Sequence, residues 1–286
     1  MSQKQKISLA LALISATGAA AAEGVTYTSV ELSHYDLDGI DATLLNGNFD
    51  YVTGPFSFTG GVLIGEVENL DMTLLEMTAG YAIVPGVTVY GMLGYVDTDD
   101  FDDTAYGLGV EYQTGDYGAA LQYETSDDSD ADSYTLAGFA GFGPSTVYGY
   151  ANDVEDFSSY GLGYKYDGGQ FEANIATDWA EGGLDTGLTA FSGEFDTSMQ
   201  FTVLASVITG NEDFLDTGIA TIGGRYAFTD SVSLEANYGT GFGDLDDADG
   251  FALKLKLETG GRRMRVTDQV DDYAADTTPL RDLASY

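Results

Sequence analysis

The stretch "YGLGVEYQTGDYGAALQYETSDDSDADSYTLAGF", residues 106–139, decides the fold. Tyr106, Leu108, Val110 and Tyr112 take every second position, with Gly107, Gly109 and Glu111 between them. After Thr114-Gly115-Asp116 the pattern resumes: Tyr117, Ala119, Leu121 and Tyr123 alternate with Gly118, Ala120, Gln122 and Glu124. Successive side chains on a strand point to opposite faces, so each segment has one apolar face and one small or polar face. Two such runs joined by a Gly-containing turn read as a hairpin. Acidic residues from Asp127 to Asp132 then lead into a third run. A soluble sandwich would carry the same local pattern, so the choice depends on whether the unit repeats along the chain.

It does. Tight turns recur at Thr53-Gly54-Pro55, Pro85-Gly86, Thr114-Gly115-Asp116, Gly143-Pro144-Ser145, Asp167-Gly168-Gly169, Phe195-Asp196-Thr197 and Phe228-Thr229-Asp230. Between them fall longer, mostly acidic connections: Asp36 to Gly39, Asp97 to Asp103, Asp127 to Asp132, Asn152 to Asp156, Glu212 to Asp216 and Asp244 to Asp249, with milder ones at Val67 to Asp71 and Ala180 to Asp185. Seven turns and eight loops predict sixteen strands, the first near 25–35, the sixth near 104–113, the twelfth near 185–194 and the last near 250–259. Solenoid repeats lack this asymmetry of short turns and long loops, and a propeller blade needs four strands per unit. Short connections at one end and longer ones at the other are the pattern of a transmembrane barrel.

Composition agrees with export into a membrane. Lys4 and Lys6, an apolar run from Ile7 to Ile14 and Ala20-x-Ala22 read as a signal peptide over residues 1–22. Later in the chain no apolar stretch is long enough for a membrane helix, so a membrane role requires strands. The 286 residues carry 10 Lys+Arg against 47 Asp+Glu, a net charge of −37, which excludes ordinary nucleic-acid binding. The absence of Cys excludes a disulfide scaffold and a thiolate metal site. A hydrophobic content of 44% opposes the disorder that such acidity could otherwise signal. Tyr51, Phe56, Tyr112, Tyr117, Phe142, Tyr166 and Phe171 crowd the turn ends, while Tyr95, Tyr106, Tyr123, Tyr134, Tyr160 and Trp179 crowd the loop ends. Two such rings are what the two membrane interfaces favour. The fold class is therefore all-β: a transmembrane antiparallel up-and-down barrel over 23–259, followed by a C-terminal periplasmic tail over 260–286.

The chain resembles the Gram-negative general porins over about residues 23–259, through its signal peptide, its sixteen alternating segments, its acidic loops and strand starts such as "YGLGVEY" and "YGLGYKY". The resemblance implies a passive diffusion channel in the outer membrane, often a homotrimer, set among outer-membrane lipid and lipopolysaccharide and passing small hydrophilic solutes and ions. Two features depart from the family. Its long, inward-folded third loop is here only Asp97 to Asp103, and the last strand is followed by "GRRMRVTDQVDDYAADTTPLRDLASY" instead of ending the chain.

Parity places Glu76, Glu111, Glu124, Lys165, Glu172, Asp178, Arg225, Glu235, Lys254, Lys256 and Glu258 on the inner face as pore-lining candidates. Asp97, Asp99, Asp100, Asp102 and Asp103 form the most acidic loop, with Asp127, Asp128, Asp130, Asp132, Asp244, Asp246, Asp247 and Asp249 in others. Their hard oxygens suit weakly held Ca²⁺ or Mg²⁺, but the EF-hand spacing fails at Leu245 and Lys256, and no firm metal site or other cofactor is read. Catalysis is not expected. The single His34, near the first acidic loop with Asp36, is read as a rim residue. The expected function is a moderately cation-selective porin. The alternative is a non-conducting structural or surface barrel whose acidic loops bind cations. Two readings stay open for the tail: a disordered periplasmic segment, or a plug drawn into an acidic lumen by Arg262, Arg263 and Arg265.

Overall fold

The computed structural model describes residues 24–37, 40–68, 70–99, 101–127, 132–155, 157–212 and 214–275. The signal-peptide reading, Asp100, Asp128, Asp130 and residues 276–286 of the tail lie outside them. The described chain forms a closed barrel of sixteen strands, each antiparallel to its sequence neighbours. They are β1 (Val25–Leu37), β2 (Ile40–Thr53), β3 (Phe56–Val67), β4 (Leu70–Val84), β5 (Val87–Thr98), β6 (Asp102–Thr114), β7 (Tyr117–Ser126), β8 (Asp132–Phe142), β9 (Ser145–Val154), β10 (Phe157–Asp167), β11 (Phe171–Ala180), β12 (Leu188–Ser198), β13 (Phe201–Gly210), β14 (Gly218–Thr229), β15 (Val232–Phe242) and β16 (Asp249–Gly260). β16 closes on β1 with Tyr27 opposite Gly260 and Leu37 opposite Gly250. Closure pairs every strand on both sides, which is how a sheet satisfies its backbone in lipid.

The apolar side of the alternation faces out. Leu108 is 69% exposed, Ile222 62% and Met77 58%, whereas Glu111 on the other parity is 5% exposed. An outer wall this rich in exposed aliphatics is stable only against hydrocarbon. The aromatic residues pair at its two ends. Phe56 meets Tyr81 at 5.0 Å between ring centroids at the turn end, and Tyr123 meets Tyr134 at 5.1 Å at the loop end. There Tyr106 donates to Asp127 at 3.1 Å and Tyr123 to Asp132 at 2.7 Å, so the girdle is tied to the acidic rim.

The boundaries near the twelfth strand shift. β12 continues to Ser198, and the turn expected at Phe195-Asp196-Thr197 falls at Met199-Gln200. The Ser198 hydroxyl accepts the N–H groups of Gln200 and Phe201, at 3.3 and 3.1 Å, and so supplies the turn itself. A bulge between Asp196 and Ser198 absorbs the extra length. The third acidic loop is shorter than expected, because β5 runs on to Thr98 and β6 begins at Asp102.

The tail does not stay outside. After Gly260 the chain turns back at the turn end, and α1 (Val266–Ala275) lies inside the barrel against β6, β7, β8, β9 and β10. The periplasmic tail expected over 260–286 is thereby corrected for its described residues, which follow the inward alternative because Val266, Val270 and Ala274 find an apolar seat on the wall. The wall is prepared for it by glycines under rings. Tyr90 lies across Gly109, Phe139 across Gly118, Tyr148 across Gly163 and Tyr150 across Gly161, and a Cβ at any of these glycines would overlap the ring. Tyr148 cannot yield, because its hydroxyl is held by Asn174 at 2.8 Å and by the Tyr273 carbonyl at 3.0 Å. Gly163→Val is therefore expected to cost about 1–3 kcal/mol through overpacking, read as a lower urea midpoint for the detergent-folded barrel. An unchanged midpoint would show that Tyr148 is not held.

Candidate functional site

The candidate site is the lumen, which α1 divides. On one side α1 covers the wall of β6–β10 and the inward residues Asn174 and Ala176 of β11. Val266 and Val270 are fully buried and Ala274 nearly so. Spaced by four, they form one helical stripe, packed on Ala120, Ala137, Phe139, Tyr148 and Ala176. Small inward residues at 120, 137 and 176 make the room. Polar contacts fix both ends of the segment. Asp50 accepts the Arg263 N–H at 2.7 Å, and Glu111 accepts the Val266 N–H at 3.0 Å. That carboxylate satisfies an otherwise orphaned donor at the helix N-terminus, where negative charge is favourable. Gln113 donates to Gln269 at 3.1 Å, and Asn174 joins Tyr148 at the Tyr273 carbonyl. Arg265 is held by Asp268 and lies 5.5 Å from the Tyr90 ring centre.

On the other side, along β1, β2 and β11–β16, a cavity of about 650 Å³ remains open. Glu31, Glu172, Glu194, Asp230, Glu235, Glu258 and Asp272 line it, against Arg225, Lys254, Lys256 and Arg262. Two of its cations, Arg225 and Lys256, are matched to acids. Arg225 forks onto Glu194 through two bonds of 3.0 and 3.1 Å and reaches Glu235 at 2.9 Å. Lys256 meets Glu258 at 2.6 Å, and across the lumen wall Lys165 meets Glu172 at 3.2 Å. Lys254 stands 5.7 Å from the Tyr35 ring centre. These pairs offset Arg225, Lys256 and Lys165 locally, and carboxylates outnumber the cations along the cavity.

All eleven pore-lining candidates lie on the inner parity. They do not form one ring. Glu172, Arg225, Glu235, Lys254, Lys256 and Glu258 border the open cavity. Glu111 is used by α1, and Glu76 and Glu124 stand on the β4 and β7 walls. Asp178 accepts the Tyr150 hydroxyl at 2.9 Å. Sequence reasoning passed over Glu31, Asp50, Glu194 and the helical form of the tail. Glu194 was hidden by placing a turn directly after it. For α1, the spacing of Val266, Val270 and Ala274 was the available signal.

The acidic loop is spread across both faces of the wall. Asp97 and Asp102 face each other on the outer parity, Asp103 turns inward to the Ser126 hydroxyl, and Asp99 accepts the Asp71 N–H at 3.3 Å. No group of three or more ligating side chains that could hold a metal ion occurs among the described residues. His34 sits on the lipid-facing parity of β1, bonded to Thr43 at 3.1 Å and tilted against Phe251, outside the lumen.

No family model matches the sequence. No curated protein matches it either. Solved structures do match in fold. A triple mutant of the Rh. blastica porin superposes with a TM-score of 0.58 at 13% identity, covering 82% of this chain and 99% of that one. Another triple mutant, of Rhodopseudomonas blastica porin, gives 0.56 at 15% over the same shares. CdiB from Acinetobacter baumannii gives 0.60 at 8%, covering 82% of this chain and 60% of that one. The chain thus has the porin-type sixteen-stranded barrel fold.

Proposed function

We propose that the chain is an outer-membrane porin: a passive, moderately cation-selective diffusion channel for small hydrophilic solutes, without enzymatic activity. The observation that carries this is the open half of the lumen. A sixteen-stranded barrel is too wide for its own side chains to fill, and beside α1 a polar cavity of about 650 Å³ persists. Charged rings select ions by the sign of the potential they impose. Lumen and loop carboxylates outnumber the basic residues, so cations are favoured. Screening limits that field to about 10 Å at 0.1 M salt, so the preference is moderate in a bore of this kind. The acidic rim gathers divalent counterions diffusely, next to lipopolysaccharide, and three copies associate as in the resembling family.

A non-conducting surface barrel is the second reading, favoured by the helix in the lumen. Conductance separates the two. In a KCl gradient the reversal potential should have the sign of a cation-preferring pore, and replacing Asp97, Asp99, Asp100, Asp102 and Asp103 with Asn should move it toward zero. An anion-selective value at low salt would overturn the selectivity reading, and no conductance at all would favour the surface barrel.

A further inference from the structure

We infer that residues 261–275 set the bore of the pore, α1 serving as a fixed constriction built from the C-terminal tail. The inference rests on the channel reading above. The third loop cannot supply a constriction, because Thr98 and Phe101 close it on themselves: the Thr98 N–H reaches the Phe101 carbonyl at 2.8 Å, and the Phe101 N–H reaches the Thr98 hydroxyl at 3.1 Å. The tail does what that loop does not. It enters at the turn end, is pinned at Asp50 and Glu111, and buries Val266 and Val270 against the wall. A helix with its side chains is about 10–12 Å across, so a seated α1 removes a large part of the open section. Its exposed edge, Asp271 and Asp272, is turned away from the seat, and Asp272 borders the remaining cavity together with Arg225 and Lys256.

A buried apolar stripe and four polar anchors make this a seated part of the barrel, and its removal should act on size more than on charge. Residues 261–286 carry four arginines and five aspartates, so deleting them barely alters the net charge.

The test uses single-channel conductance and the largest polyethylene glycol that enters the pore. It compares the full chain with a chain ended at Gly260 and with full-length Val266→Asn/Val270→Asn, which leaves polar groups without partners in the seat. Folding of each is checked first by heat-modifiable gel mobility. Both changes should raise conductance about two-fold, as expected when an object of helix width leaves the section, admit larger polymers, and keep the sign of the reversal potential. Because the chain has no Cys, Gln113→Cys/Gln269→Cys supplies the only two thiols. Bridging them with a bis-maleimide should hold the Asn variant at the conductance of the full chain. A silent full chain with conducting variants also supports the inference, as complete closure. Equal conductance and polymer cut-off in all three chains would overturn it and leave the channel reading standing. If every folded chain is silent, the channel reading fails and this inference with it.

Discussion

Leu108→Arg is expected to destabilise the barrel by about 2–4 kcal/mol, the cost of a cation on the lipid face near the bilayer midplane. Leu108 is the middle residue of β6, between Gly91 on β5 and Tyr123 on β7, and is 69% exposed on the outer wall. In water such exposure would cost stability in the wild-type chain, and a charge there would be harmless. The sign of the effect therefore reports which solvent the wall meets. Asn46→Arg is the control. Asn46 lies at the same depth on β2 but borders the open cavity, and its replacement should stay within about 1 kcal/mol, as for a surface site. Urea unfolding in lipid vesicles measures both. Equal losses at the two positions would mean that the outer wall is not the lipid face.

Arg225→Leu should have the largest effect inside the lumen. It removes one positive charge and leaves Glu194 and Glu235 without the guanidinium that spans them. Arg225 is 37% exposed to the lumen, so water takes over part of its role. The expected loss is about 1–2 kcal/mol, well below that of a fully buried pair. The same change should strengthen the preference for cations, because two carboxylates are uncovered on the pore wall. Adding Glu194→Gln and Glu235→Gln should restore stability and bring the reversal potential below the wild-type preference. Stability that fails to recover would show that Arg225 acts through packing instead of charge.

Most of the barrel was legible in the sequence, for a physical reason. In lipid the apolar parity must be continuous on one face, so "YGLGVEY" and "YGLGYKY" declare both strand and orientation. Turns built on Gly, such as Thr114-Gly115-Asp116, were placed correctly because few residues accept a positive φ, and Gly115 has φ of 46°. The turn at Met199-Gln200 was not, because Ser198 makes it through a side-chain hydroxyl that a Gly and Pro search ignores. In the lumen the limit is different. Parity says that Glu111 and Glu172 point inward, but only the fold shows that one holds a helix and the other borders open space. The seat of α1 depends on Ala120, Ala137 and Ala176, which lie on three strands and have no pattern in sequence that marks them as one surface.

The proposed channel requires a water-filled path beside α1. Single-channel recording of the mature full-length chain in a planar bilayer detects that path. Discrete, long-lived conductance steps are expected, with a reversal potential in a KCl gradient that has the sign of a cation-preferring pore. Correctly folded full-length barrels that insert and give no steps would contradict an open path beside α1, whether or not removing the tail opens them.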